Sequence, residues 1–311
     1  MVVNWPDNAI GVDIPKKEAI HAMPGPTSQT YFSQRLRLHY VDWGNEDAPP
    51  LLLIHGGRDH CRNWDWVAER LRHDYHIIAP DLRGHGDSAW AIGGSYALAD
   101  FVYDIAQLLR QKQPNPVSII SHSMGGAISL LYAGAYPETV SKLAVIEGII
   151  MSPDQYKTLH ETPLRRRMTK WVDQLRDLSA RLPRKYKSLE EALGRMRSEN
   201  PFLSPEQARH LTIHGVNQNE DGTYSWKFDN YVRAWAPYGF SAEEITGLWS
   251  EITCPTMLIH GADSWMSAPE SNGALGFFAH AETVTIEKAG HWVHHDRLDE
   301  VLAVVEPFLK S

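Results

Sequence analysis

The sequence predicts an α/β fold: a mostly parallel central sheet with helices on both faces, interrupted by an inserted helical cap. Three observations predict it. Short apolar runs rich in β-branched residues recur along the chain, amphipathic segments of helical length separate them, and the rhythm lapses from about Met151 to Leu248 before resuming at Cys254. Alternating strand and helix signals are the mark of a parallel sheet with helical crossovers. An insertion of roughly a hundred residues is too long for a structureless loop and implies a small subdomain. On this reading residues 1–150 and 249–311 form the sheet domain and 151–248 the mainly helical cap.

The strand signals come in order. Leu36 to Trp43 alternates large apolar and polar residues and predicts a half-exposed antiparallel strand leading into the sheet. Leu51 to His55, Tyr75 to Pro80, Val117 to Ser121 and Lys142 to Gly148 are nearly continuous in apolar residues, as strands buried on both faces are. Thr256 to Gly261 and Glu282 to Glu287 complete the set. Between them, Tyr96 to Gln111 carries Phe101, Val102, Ile105, Leu108 and Leu109 at helical spacing. Met124 to Tyr136 is rich in small and apolar residues, which predicts a buried helix, and a terminal helix follows Asp296. Inside the insertion, "NEDGTYSWKFD" contains a D-G turn that suggests a short hairpin.

Bulk properties exclude several classes. A formal net charge of -8 argues against a nucleic-acid binder, whose contacts need a basic face. The one basic run, Arg165 to Arg167, reads as a solvated helix face. The two cysteines, Cys61 and Cys254, have neither metal-ligand nor disulfide-framework spacing and are expected to be free thiols in a reducing compartment. No secretory leader pattern opens the chain, and no stretch approaches the ~20 apolar residues of a membrane span, so a cytoplasmic location is expected. Oligomeric state is not legible.

The chemistry concentrates at "IISHSMGG", residues 119–126. A sharp strand-to-helix turn that lifts a serine hydroxyl above a sheet needs small residues two before and two after that serine. Ser123 satisfies this with Ser121 and Gly125, whereas Ser121 as the raised residue would place Ile119 at a position too narrow for it. Ser123 is therefore the candidate nucleophile in an S-x-S-x-G segment. A serine hydroxyl needs a base, and the base an orienting carboxylate. Both are sought past the carboxyl ends of strands, where catalytic groups gather in open α/β sheets. His291, in the loop after the last strand, is preferred as base over His294 and His295, which begin the terminal helix. Asp263, just past Gly261, is preferred as acid over Glu147, whose alternative role is a polar group at the pocket mouth. The backbone N–H groups of Gly57 and Met124 are the candidate oxyanion donors, each worth about 2.7 to 4 kcal/mol in such sites. Arg58, Trp226, Trp235 and Tyr238 are the candidate pocket residues. No metal-ligand set is evident, and triad chemistry needs neither metal nor cofactor.

Five stretches, "IHGG", "DLRGHGDS", "SHSMGG", "LIHGADS" and "GHWVHHD", together resemble the α/β-hydrolase superfamily in its cap-bearing branch, over roughly Leu36 to Leu309. The insertion is most similar to the cap of serine hydrolase-like proteins. The resemblance implies a triad in the order Ser123, Asp263, His291, and a mainly structural role for Asp81, Arg83 and His85. Haloalkane dehalogenases and most epoxide hydrolases of this fold use an aspartate where this chain has Ser123. The implied reaction is therefore hydrolysis of a small-molecule carboxylic ester through an acyl-enzyme. The alternatives are hydrolysis of a carbon-carbon bond in a vinylogous diketone, because such relatives also carry S-M-G-G, or binding without catalysis on the same fold.

Overall fold

The computed structural model describes residues 25–93, 96–112, 116–234 and 236–311. Its strands are β1 (Thr27–Ser33), β2 (Leu36–Asp42), β3 (Pro50–Ile54), β4 (His76–Pro80), β5 (Val117–His122), β6 (Val140–Ile146), β7 (Val216–Gln218), β8 (Tyr224–Trp226), β9 (Thr256–Gly261) and β10 (Ala281–Ile286). Eight of them form one sheet in the order β1-β2-β4-β3-β5-β6-β9-β10. β2 runs antiparallel to both β1 and β4, and every pairing from β4 across to β10 is parallel. The six apolar runs and the antiparallel lead-in strand all fall within a residue or two of observed strands. β1 had no apolar signal: four of its first residues are exposed, and it pairs along the length of β2 at the sheet edge.

The helices are α1 (Asp65–Leu71), α2 (Leu98–Lys112), α3 (Met124–Ala135), α4 (Pro153–Glu161), α5 (Leu164–Ser179), α6 (Leu189–Glu199), α7 (Pro205–Gly215), α8 (Ala242–Ser250), α9 (Val293–Asp296) and α10 (Leu298–Lys310). One face of the sheet is covered by α2, α3 and α8, whose Phe101, Ile105, Leu108, Ile128, Leu131 and Trp249 join the larger core. The other is covered by α1 and α10 through Val67, Leu71, Val301, Leu302 and Val305. Burial of both faces is why the central strands carry no polar alternation. α3 is buried almost throughout because small residues let it sit directly on the strands. A Cβ on Gly126 would stand 2.5 Å from the Gly148 Cα, so the helix and the chain just past β6 meet there backbone to backbone.

Between β6 and β9 lie α4 to α8 and the β7–β8 hairpin. Capping boxes at Ser152 with Gln155, Ser204 with Gln207 and Ser241 with Glu244 start α4, α7 and α8. α6, α7 and the hairpin form small cores of their own around Leu193, Met196 and Leu211, and around Tyr186 and Val216. The two ends of the segment pack differently: Tyr156 of α4 and Ile245 of α8 belong to the core of the sheet. Among the described residues no helix is long and apolar enough to cross a membrane.

Candidate active site

Ser123 sits between β5 and α3 with φ 51° and ψ -120°, a conformation that a non-glycine residue adopts only when its surroundings impose it. The surroundings are tight. A Cβ on Gly125 would lie 2.5 Å from the carbonyl oxygens of Ile54 and His55, so only glycine lets the first turn of α3 pass the end of β3. Ser121 is fully buried, and its hydroxyl lies 2.7 Å from that of Ser129 one helical turn into α3. It is the small residue under the turn, as expected of it.

His291 reaches this serine from the loop after β10: its Nε2 lies 3.0 Å from Ser123 Oγ. His294 and His295 point elsewhere. His294 Nε2 donates to Asn63 Oδ1 at 2.6 Å and stacks on Trp64, while His295 packs among Trp66 and Trp292. His122, next to the serine, is buried, and burial holds its pKa well below the ordinary value. Its Nε2–H donates to the backbone carbonyl of His291 at 2.9 Å, bracing the loop that presents the imidazole.

The carboxylate facing His291 is Glu147, not Asp263. Glu147 Oε2 lies 3.3 Å from His291 Nδ1 and is buried, whereas Asp263 is exposed. The backbone explains the exchange. β9 ends at Gly261 and the chain turns at once, Ser264 N–H donating to Gly261 O at 2.9 Å, so Asp263 rides the outside of the turn. Glu147 directly follows β6 and takes φ 54°, which turns its longer side chain inward beneath the histidine loop. That loop approaches because Gly261 has no Cβ; one would meet Ala289 O at 2.6 Å. Burial alone would raise the Glu147 pKa, but hydrogen bonds from His291, Ser264 Oγ at 2.6 Å and Gly261 N–H at 2.8 Å, with His260 Nδ1 at 2.8 Å, hold it below the ordinary value. An ionised acid at Nδ1 keeps the proton there and leaves Nε2 free to accept from Ser123. Sequence reasoning did not find Ser264, His260 and Trp265, the last with its ring 5.0 Å from that of His291 on the exposed side.

The candidate oxyanion donors flank the serine. Met124 is the first residue of α3, so its N–H has no acceptor within the helix. Gly57 belongs to the neighbouring turn, which presses on the elbow at Gly56: a Cβ there would lie 3.1 Å from the Ser123 Cβ. Asp81, Arg83 and His85 are buried beneath that turn. Asp81 accepts from the Cys61 N–H at 2.6 Å and the Asp87 N–H at 2.9 Å, Arg83 forks onto Asp104 at 2.6 and 2.7 Å, and none of the three touches Ser123 among the described contacts. Two sets of metal-type ligands lie close together, His39 with Cys61 and Asp81, and Asp65 with His210 and His214. The first is knit by its own hydrogen bonds and the second holds the Arg62 guanidinium on Asp65, which opposes a cation. Cys61 and Cys254 are free and buried.

A cavity of about 530 Å³ opens beside Gly57, between the sheet domain and the intervening segment. Arg58 and Trp226 line it. Tyr238 does not: it is 66% exposed and lies outside the lining, in the irregular stretch before α8. Trp235 lies outside the described residues.

A serine raised on a strained strand-to-helix turn over a parallel sheet, with a histidine from the last strand loop against it, defines the α/β-hydrolase architecture. The chain belongs to the alpha/beta hydrolase family, which it matches over residues 51–304. Among its relatives, the esterase Rv0045c of Mycobacterium tuberculosis is 24% identical over 92% of this chain and 91% of its own. The (E)-2-((N-methylformamido)methylene)succinate hydrolase of Acinetobacter baylyi is 25% identical over 88% of this chain and 94% of its own. The thioesterase domain from the curacin biosynthetic pathway superposes with a TM-score of 0.81 at 23% identity, covering 93% of this chain and 100% of that domain.

Proposed function

We propose that this hydrolase cleaves carboxylic esters through an acyl-enzyme on Ser123. The observation that carries the proposal is the 3.0 Å approach of His291 Nε2 to Ser123 Oγ, with Glu147 behind the imidazole. His291 takes the serine proton as Oγ attacks the ester carbonyl, Glu147 stabilises the imidazolium, and the N–H groups of Gly57 and Met124 receive the oxyanion. The imidazolium returns its proton to the departing alcohol. Water, activated by the same histidine, then attacks the acyl-enzyme and restores Ser123 with release of the acid. Residues 151–248 act as the cap that shapes substrate choice. The esterase among the relatives supports this reading, and a serine nucleophile favours it over aspartate-based chemistry.

A fluorophosphonate probe tests it: the wild type should be labelled and Ser123→Ala should not. Steady turnover of simple aryl esters is expected; labelling that survives Ser123→Ala, or activity confined to vinylogous diketones, overturns the proposal.

A further inference from the structure

The cavity beside the oxyanion turn is basic in a chain whose net charge is -8. Its wall carries Arg58, Arg184, Arg195, Arg233 and Lys227. Two of these are neutralised, Arg195 by Glu199 and Lys227 by Asp87 at 2.8 Å. Arg58, Arg184 and Arg233 make no ion pair with a carboxylate among the described residues. Two of those guanidinium groups are backed by aromatic rings instead of acids: Arg184 stands 5.1 Å from the Tyr186 ring and Arg233 5.6 Å from the Phe228 ring. A ring face positions a guanidinium while leaving its edge N–H donors free.

The remaining acid on the wall does not answer this charge. Asp59 is 6% exposed and accepts hydrogen bonds from its neighbours, the His60 N–H at 2.9 Å and the Asn63 side chain. Burial pushes its pKa up to about 8, which keeps it largely uncharged at neutral pH. Arg58 and Arg233 feel each other: burial first, and then the Arg58 charge, lower the Arg233 pKa, while Glu199, already held by Arg195, pulls the other way. Three like charges that lack an ion-pair partner of their own on one concave surface focus a field that an anion relieves.

Resting on the ester-hydrolase reading above, we infer that this cavity is an anion subsite and that the preferred substrate is an ester carrying a free carboxylate, held by Arg58 and Arg233. Arg58 is the residue next to the proposed oxyanion donor Gly57. The carboxylate therefore belongs a short chain away from the scissile carbonyl, as in the hemiester of a small dicarboxylic acid. Because these arginines border an open cavity, the preference is salt-dependent.

The test compares mono(para-nitrophenyl) glutarate with para-nitrophenyl pentanoate, matched in acyl length and differing in the terminal carboxylate. The wild type should favour the glutarate ester in kcat/KM by about tenfold or more at low ionic strength, with the ratio shrinking as salt is added. Arg58→Gln and Arg233→Gln should each cut that ratio about fivefold, and Arg233→Lys should keep more of it than Arg233→Gln. A wild-type ratio near unity overturns the subsite even if the variants fail to fold, and leaves the esterase reading standing. If neither ester is turned over, the esterase reading fails, and calorimetric titration with glutarate still decides the subsite. Saturable, salt-sensitive binding weakened in Arg233→Gln supports it, and no binding overturns it.

Discussion

Glu147 Oε2 lies 3.3 Å from His291 Nδ1, and its carboxylate is anchored from behind by Ser264 and by the Gly261 backbone. This carboxylate is thus fixed by groups at the end of β9 and in the turn after it, although it belongs to the end of β6. Glu147→Gln removes the charge that balances a protonated imidazole and presents a competing donor. We expect kcat to fall by about 10² to 10⁴-fold, while Asp263→Asn stays within about twofold of the wild type. Steady-state kinetics on an aryl ester check this, and the reverse pattern would restore Asp263 as the acid.

His122 braces the proposed base through the 2.9 Å bond from its Nε2 to the His291 carbonyl. His122→Phe keeps a ring but loses the donor, and a displaced loop costs chemistry more than binding. Its kcat should drop about tenfold with KM little changed, and His122→Gln, whose amide can donate to the same carbonyl, should recover most of the loss. A purely structural role would lower the melting temperature and leave the split between kcat and KM untouched.

Gly125 is the steric keystone of the turn, given the 2.5 Å approach of its absent Cβ to two carbonyl oxygens. Gly125→Ala should destabilise the fold by about 3 kcal/mol through overpacking. Urea denaturation measures it; a midpoint equal to that of the wild type would show that the elbow yields more easily than its geometry indicates.

Burial holds several histidines neutral. Desolvation takes the pKa of His295 and His55 down to about 3 and that of His85 to about 4, from 6.5. Below pH 6.5 the unfolded chain binds protons that the folded protein excludes, so their contribution is complete above 6.5 and is lost as pH falls toward the folded values. Each such group adds about 1.4 kcal/mol per pH unit to the slope within that window. Urea midpoints should therefore fall steeply between pH 6.5 and pH 4. Neither ring nitrogen of His295 has a partner among the described residues, so His295→Phe should flatten the decline by about one proton. An unchanged slope would mean that His295 is already charged in the fold.

The sheet was legible because burial on both faces leaves strands such as β5 and β6 with uninterrupted apolar runs. β1 was not, since its residues are mostly exposed and its position is set by pairing with β2. The short helix α1, between β3 and β4, also went unread. The meeting of Ser123 and His291 could be read because steric demand at the turn and the position after the last strand are local properties. The choice between Asp263 and Glu147 was not local. It depends on a positive φ at Glu147 and on the close approach of Gly261 to Ala289, and neither leaves a periodic trace in the chain. Arg58 and Trp226 do share a cavity, but Tyr238 faces solvent, and aromatic content alone says nothing about which way a side chain in an irregular segment points.

With Glu147 as the proposed acid, most of the candidate site belongs to one continuous β-α-β unit, β5-α3-β6, which carries Ser123, the Met124 amide and the carboxylate together. The proposed base comes from farthest away: it meets the serine across 168 positions of chain and the Glu147 carboxylate across 144. Closing such long loops is entropically costly, and contacts of that separation form late. The unit can acquire its shape from near neighbours, so activity should be the last property the chain gains as it folds, appearing when the loop of His291 settles against Gly261.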